Sequence, residues 1–461
     1  MTMWNPDPAQ VRRPAYLSLA EQIARAIADG RLANGARLPP HRKMADGLGL
    51  SVQTVSRAYE QLIRRGLVTG EVGRGSFVRT MRREPEPPYL PERLGEVIDL
   101  SILKPVCEPM HHDRLKEALT WLGQDLPASS ALSFRPNMVF PRHRTAGAEW
   151  LRSLGLEASA QNITPTNGAT SAMTVALMSV APPGATVATE AVGHHTLLPL
   201  ARYLGFTLEG LPIDADGLIP EALADACGRG GIRAVFLQPS VINPTATLMS
   251  QTRREAIVEI ARRHDLAIIE NDVLGPLIAD RPPPVAALAP ERTLHVTSFT
   301  KITVPGLRIG YLSAPDRYAA AVANRHLVSN WMATPMVAEI ASKWVRDGTA
   351  MELVDWQRAA LRTRQKAAAE MLAGLSYLAH PEGLHLWLEL PEGRSEESFV
   401  AQARLHNVAI APGASFRITQ DAWRPAVRIS VGSTTEGELR AGLGVIAQLL
   451  QGEDEHLLLA I

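Results

Sequence analysis

The sequence predicts an α/β protein in two parts: a short, basic, mostly helical amino-terminal module and a large body built on a mainly parallel sheet. Three observations lead there. Charge divides unevenly along the chain, the first segment carries helical apolar periodicity, and beyond a proline-rich stretch short apolar runs alternate with helix-length segments. At 461 residues the chain exceeds one typical core. The expected division is a module over 1–79, a linker over 80–97 and a body over 98–461.

The net charge of zero conceals the asymmetry. Residues 11–83 hold 14 Lys+Arg against 5 Asp+Glu, which is +9, so the remainder, 33 against 42, is −9. A basic module on an acidic body suits a polyanionic partner for the module alone, and a merely solvated basic face accounts for the charge count equally well. The 2 cysteines give no disulfide framework and no repeated ligand spacing, and no metal is assigned. Cys107 reads as a packed thiol. No apolar run reaches the roughly 18 residues of a membrane span, and Met1-Thr2-Met3-Trp4-Asn5-Pro6 lacks a signal-peptide pattern. The expectation is a cytoplasmic protein with no membrane partner.

In the module, Leu19, Ile23 and Ile27 mark a first helix that stops near Gly30. Arg37-Leu38-Pro39-Pro40 opens a short second helix with Met44, Ala45 and Leu48 inward. After the turn Gly47-Leu48-Gly49-Leu50, Ser51 caps a third helix whose buried stripe is Val52, Val55, Tyr59 and Leu62. Gln53, Thr54 and Arg57 then point outward near the helix start, where a helix in the major groove meets base edges, and Arg42 is placed for phosphate. Leu67–Val78 reads as two strands around Arg74, a cation flanked by glycines and suited to a minor groove or phosphates. A three-helix core without any nucleic-acid role would share the apolar pattern. The full stretch, with Ile27-Ala28-Asp29-Gly30-Arg31-Leu32, Leu38-Pro39-Pro40-His41-Arg42, Thr54–Leu62 and Gly73-Arg74-Gly75-Ser76-Phe77-Val78, resembles the winged helix-turn-helix of GntR-type transcription factors.

The stretch from Thr80 to Glu96 is rich in proline and charge, the composition of an extended spacer. In the body, Thr186–Thr189, Ala234–Leu237, Leu266–Ile269, Thr293–Val296 and Arg308–Leu312 read as buried strands between helices. Polar groups fall at their ends, where such sheets collect ligands: Gly168-Ala169-Thr170, Asn243, Asn271-Asp272 and Lys301. Singly, each has a plainer reading as a cap, a turn or a surface charge. Their order is more telling. Ser298-Phe299-Thr300-Lys301 followed by Pro305-Gly306-Leu307-Arg308-Ile309-Gly310-Tyr311 resembles the cofactor-lysine signature of fold type I aminotransferases, and Thr166–Thr170, Ile242-Asn243-Pro244-Thr245 and Pro425–Ile429 match the other landmarks in order.

That resemblance implies a large mainly parallel sheet domain, a smaller α+β domain, and pyridoxal 5'-phosphate as cofactor. Lys301 would hold the aldehyde as an imine. Gly168, Ala169, Thr170, Ser298, Thr300 and Arg308 would cradle the phosphate. Asn243 would donate to the phenolic oxygen, His194 would stack on the ring unless His195 takes that place after a one-residue shift, and Arg428 would clamp a carboxylate. One departure stands out. Where aminotransferases carry an aspartate for the pyridine nitrogen and, three residues on, a tyrosine, this chain has Asn271 and Leu274, with Asp272 available after a register change. Asparagine supplies no negative charge, so the electron sink that drives catalysis is weakened.

The two halves in this order resemble the MocR subfamily of GntR regulators. The resemblance implies a head-to-tail homodimer that binds operator DNA and responds to an amino compound or to the cofactor itself, the favoured expectation here being an amino compound whose external imine displaces Lys301. The competing expectation is an active aminotransferase with an accessory DNA-binding domain.

Overall fold

The computed structural model describes residues 5–33, 35–65, 67–71, 75–78, 97–132, 134, 140–419 and 424–451. It divides into two compact units, Met1–Glu92 and Arg93–Ile461. Arg74 and the spacer over 80–96 lie outside the described residues.

In the first unit, α1 (Ala15–Ala28), α2 (His41–Leu48) and α3 (Val52–Arg64) enclose a core of Leu19, Ile23, Met44, Val55, Tyr59 and Leu62. Gly49 closes α2 in the left-handed region at φ 63°, which lets the chain turn sharply into α3. Ser51 caps α3, its Oγ accepting from the Thr54 amide at 3.1 Å. Tyr59 ties α3 to the entry of α2 by donating to the Pro39 carbonyl at 2.8 Å. Val52, expected in the buried stripe, is 44% exposed, because as the first residue of α3 it lies beyond the reach of α1 and α2. The strands β1 (Val68–Glu71) and β2 (Gly75–Val78) pair antiparallel, Val68 opposite Val78.

The second unit is built on a seven-stranded sheet: β3 (Ile163–Thr166), β4 (Thr186–Glu190), β5 (Thr207–Leu211), β6 (Ile232–Leu237), β7 (Ala267–Asn271), β8 (Thr293–Ser298) and β9 (Gly310–Ser313). Their spatial order is β3-β9-β8-β7-β6-β4-β5, and β9 runs against its neighbours β8 and β3. Continuous apolar strands need cover on both faces. One face packs under α4 (Ala169–Val180), which joins Ala267, Ile269, Leu294 and Val296 in a core; the other packs Val235, Ile268 and Leu237 against α5 (Gln251–Arg263). A smaller antiparallel sheet has the order β10 (Tyr377–Ala379), β11 (His385–Glu389), β13 (Ala426–Ser430), β12 (Ala411–Pro412). Cys107, read as packed, is exposed.

Candidate functional site

Alternation along β7 decides which side chains can meet. Asn271 shares parity with Ala267 and Ile269, the face under α4, while Glu270 and Asp272 share parity with Ile268 on the reverse. On the reverse face both Glu270 oxygens and one Asp272 oxygen are engaged with protein, while Asp272 Oδ1 has no partner. Glu270 accepts from the Val285 and Ala286 amides at 2.8 Å each, and Asp272 is paired with Arg281 and lies 3.4 Å from His295 Nε2. Burial alone would raise the Asp272 carboxyl, but Arg281 and His295 outweigh it and hold it below its ordinary range. Asp272 is therefore not brought to the Asn271 side. Asn271 is 3% exposed, and neither its Nδ2 nor its Oδ1 has a partner. An unpaired buried amide costs about 1–3 kcal/mol per group, so the site is built for something that supplies those bonds.

The start of α4 and the turn after β8 form a cradle. Gly168 caps α4 at φ 82°, a conformation that side-chain-bearing residues rarely adopt. A Cβ there would sit 3.5 Å from Arg308 Nη2 and 3.7 Å from Thr300 Oγ1, so glycine keeps open the space these two groups border. Ser298 Oγ donates to Thr300 Oγ1 at 3.1 Å, which orients that hydroxyl. The first amides of α4, at Ala169 and Thr170, lack helical acceptors and carry the positive end of the helix dipole. Amides, hydroxyls and a guanidinium in one concavity suit a phosphate.

Lys301 ends a short 3-10 turn, Phe299–Lys301, directly after β8, and its Nζ donates to the carbonyl of Leu103. Burial, reinforced by Arg428 and Arg308, pushes its amine down to about 8. Such a lysine yields far more neutral amine near pH 7 than an ordinary one. Arg428, on β13, donates from Nη1 to Asn243 Oδ1 at 2.9 Å and from Nη2 to the Ser101 carbonyl, and its Nε is buried without a partner. Burial lowers the guanidinium to about 10. His194 and His195 stack on each other, ring centroids 4.8 Å apart, and Thr196 Oγ1 lies 2.8 Å from His194 Nδ1. Burial, His195, Lys301 and Arg428 together hold His194 well below its ordinary value, and His195 is lowered to about 4, so both rings are neutral near pH 7.

Thus Gly168, Ala169, Ser298, Thr300 and Arg308 gather at one end, with Thr170 exposed on the first turn of α4, while Asn243 and Arg428 join directly and Lys301 and His194 lie within their field. This donor set fits pyridoxal phosphate: an amine of lowered basicity, a phosphate cradle and an orphaned amide on the sheet face. Sequence reading missed the segment around Ser101 and Leu103, whose carbonyls hold Arg428 and Lys301, because the contacts span 327 and 198 positions. It also missed Phe416, which lies 4.9 Å from the Arg428 guanidinium and 5.8 Å from the His195 ring.

In the first unit, Arg42, Gln53 and Arg57 are exposed, and Ser51 and Thr54 are joined by a 2.8 Å bond between their hydroxyls. The Arg37 side chain borders Gly75, where a Cβ would lie 3.1 Å from its Nε, so a cation that sequence reading did not single out stands beside β2.

Residues 15–78 match the gntR family of bacterial regulatory proteins, and residues 110–446 match the aminotransferase class I and II family. The chain is 27% identical to the uncharacterized HTH-type transcriptional regulator YdeF of Bacillus subtilis, over 97% of this chain and 96% of that one. It is 28% identical to the HTH-type pyridoxine biosynthesis transcriptional regulator PdxR of Corynebacterium glutamicum (66% and 67% covered) and 26% identical to the probable rhizopine catabolism regulatory protein MocR of Rhizobium meliloti (69% and 68%). Its fold is similar to that of Pyrococcus horikoshii kynurenine aminotransferase, with a TM-score of 0.71 and 22% identity over 77% of this chain and 91% of that one. Among the described residues no helix is long and apolar enough to cross a membrane.

Proposed function

We propose that this chain, which belongs to the MocR subfamily of GntR-type regulators, is a transcriptional regulator that carries pyridoxal phosphate on Lys301 and uses it to sense an amino compound. The observation that carries the reading is the convergence of Lys301, Asn243 and Arg428 beside the cradle of Gly168, Thr300 and Arg308. When bound, the cofactor supplies an aldehyde carbon that exchanges the Lys301 amine for the amine of a ligand. The chain's own residues do the rest. Arg428 turns its fork to the ligand's carboxylate, Asn243 steadies Arg428 and faces the phenolic oxygen, and His194 offers a neutral ring over the cofactor. Release of Lys301 changes the contacts around it, and the differing contacts bias a conformational equilibrium read by the DNA modules.

On the DNA side, Gln53, Thr54 and Arg57 would meet base edges, Arg42 and Ser51 the backbone, and Arg74 a groove or phosphates at the wing. Two modules on a head-to-tail homodimer would read paired half-sites, in the cytoplasm. The alternative, an active aminotransferase with an accessory DNA-binding domain, is favoured by the likeness of its fold to aminotransferases. It is disfavoured by Leu274, buried where the family has a tyrosine.

Operator retention measured while candidate amines are titrated separates the two. The regulator reading expects any amine that alters the cofactor spectrum to alter operator affinity, with Lys301→Ala insensitive to it. Steady turnover of an amino-acid and oxo-acid pair, with no sequence-specific DNA retention at moderate salt, would overturn it.

A further inference from the structure

We infer that Asn271 donates a hydrogen bond from Nδ2 to the pyridine nitrogen of the bound cofactor and keeps that nitrogen unprotonated, so that the site exchanges amines without drawing a proton from the ligand. This rests on the reading that the cofactor sits on Lys301.

Asn271 ends β7 on the face under α4, 3% exposed, with both amide atoms unpartnered. It is thus an orphaned donor and acceptor at the sheet edge where β8 delivers Ser298 and then Lys301, for Asn271 pairs with Val296 in register. The nearby acids do not substitute for it. Asp272 is occupied by Arg281 and His295, and the two Glu270 oxygens accept from the Val285 and Ala286 amides, all on the reverse face. The charged groups that act on the site's own side are the cations Lys301, Arg308 and Arg428 and one carboxylate, Asp99, which faces Arg428, while His194 and His195 are neutral.

A ring nitrogen that takes a proton here becomes one more buried cation beside these, with Asn271 in place of a carboxylate, Asp99 committed to Arg428, and Glu270 and Asp272 on the reverse face. Left unprotonated, its lone pair accepts the Nδ2–H bond, and the orphaned Nδ2 donor is satisfied without adding charge. The consequence is selective. Amine exchange needs only that the ligand nitrogen bond to the aldehyde carbon while Lys301 Nζ leaves with the proton the ligand brings, and no electrons flow into the ring. Removal of the ligand's Cα proton does require the ring to accept the electron pair, and an unprotonated ring accepts it poorly.

The full chain loaded with pyridine-15N pyridoxal phosphate gives the direct readout. The native protein should show its nitrogen signal in the range of unprotonated pyridine, and Asn271→Asp should move it upfield to the pyridinium range. Asn271→Leu, which removes the donor without adding charge, should leave the signal unprotonated and release the cofactor about fivefold faster. A native signal in the pyridinium range overturns the inference, as do identical signals in the native and Asp variants or an unchanged release rate in the Leu variant. Should Asn271→Asp fail to fold, the native signal and the Leu variant still decide. A chain that keeps no pyridoxyl group on Lys301 after borohydride overturns both this inference and the reading beneath it, whereas a retained but protonated ring overturns this one alone.

Discussion

Arg428 Nη1 bonds Asn243 Oδ1 at 2.9 Å, joining β13 of the small sheet to the segment that follows β6 of the large one. The planar fork reaches Asn243 and the Ser101 carbonyl at once, a geometry lysine cannot reproduce. Arg428→Lys should therefore keep the cofactor but weaken carboxylate-bearing amines by about 1.5–3 kcal/mol, the worth of a charge-assisted bond. Spectral titration of the cofactor with one amine and its decarboxylated analogue checks this. Equal loss for both ligands would remove Arg428 from carboxylate recognition.

The strap Ser101–Pro105 is anchored on either side, by the Leu100 amide on Ala409 O at 2.8 Å and by Gln357 on the Val106 backbone at 2.7 and 3.1 Å. Between those anchors it is gripped by Arg428 at Ser101 and by Lys301 at Leu103. Both grips are lost when Lys301 carries the cofactor and Arg428 takes a carboxylate. Hydrogen exchange should then speed up in the strap and stay slow at Leu100. Unchanged exchange after loading with cofactor and a carboxylate-bearing amine would show that these two contacts do not hold it.

On the DNA module, Arg57→Ala should weaken operator binding by about 1–3 kcal/mol if it reads a base, and Arg42→Ala should reduce the salt slope by about one. Ser51→Ala removes the cap on the Thr54 amide and should cost the module about 1 kcal/mol. Anisotropy titrations at several salt concentrations, with a melting curve for the Ser51 variant, test all three. Wild-type affinity in both arginine variants would take them out of the interface.

Two pH effects follow from burial. Only neutral Lys301 attacks an aldehyde, so cofactor uptake should rise with pH through about 8 and flatten above, instead of climbing toward 10.5. His385 behaves differently: burial and Arg428 lower it from 6.5 to about 3. Between those values the unfolded chain binds the proton and the folded chain does not, so its contribution is complete above pH 6.5 and drains away as pH falls, by at most about 1.4 kcal/mol per pH unit. Uptake kinetics and melting temperature against pH test the pair. An uptake midpoint near 10.5, or a melting temperature flat from pH 6.5 to 4 in a protein whose His385→Asn variant behaves identically, would contradict them.

Much of this was legible in the chain because its signals are local. Ser51 as a cap, Gly168 ahead of an apolar helix and Lys301 after an apolar strand each follow from a few consecutive residues. The edge strands β3 and β5 were not read, since Ile163-Thr164-Pro165-Thr166 and Thr207-Leu208-Glu209-Gly210-Leu211 carry too few apolar residues to declare themselves. The choice between Asn271 and Asp272 stayed open in sequence because a one-residue slip swaps faces. The register of β7 against β6 and β8 resolves which face each occupies. Long-range contacts such as Ser101 with Arg428 have no sequence signal at all.

The sensor role depends on the bond between Lys301 and pyridoxal phosphate. Borohydride reduction of the loaded full-length protein, followed by digestion and mass spectrometry, tests it most directly. A pyridoxyl group is expected on the peptide containing Lys301 and none in Lys301→Ala; an unmodified Lys301 peptide, or the adduct on another lysine, would rule that bond out.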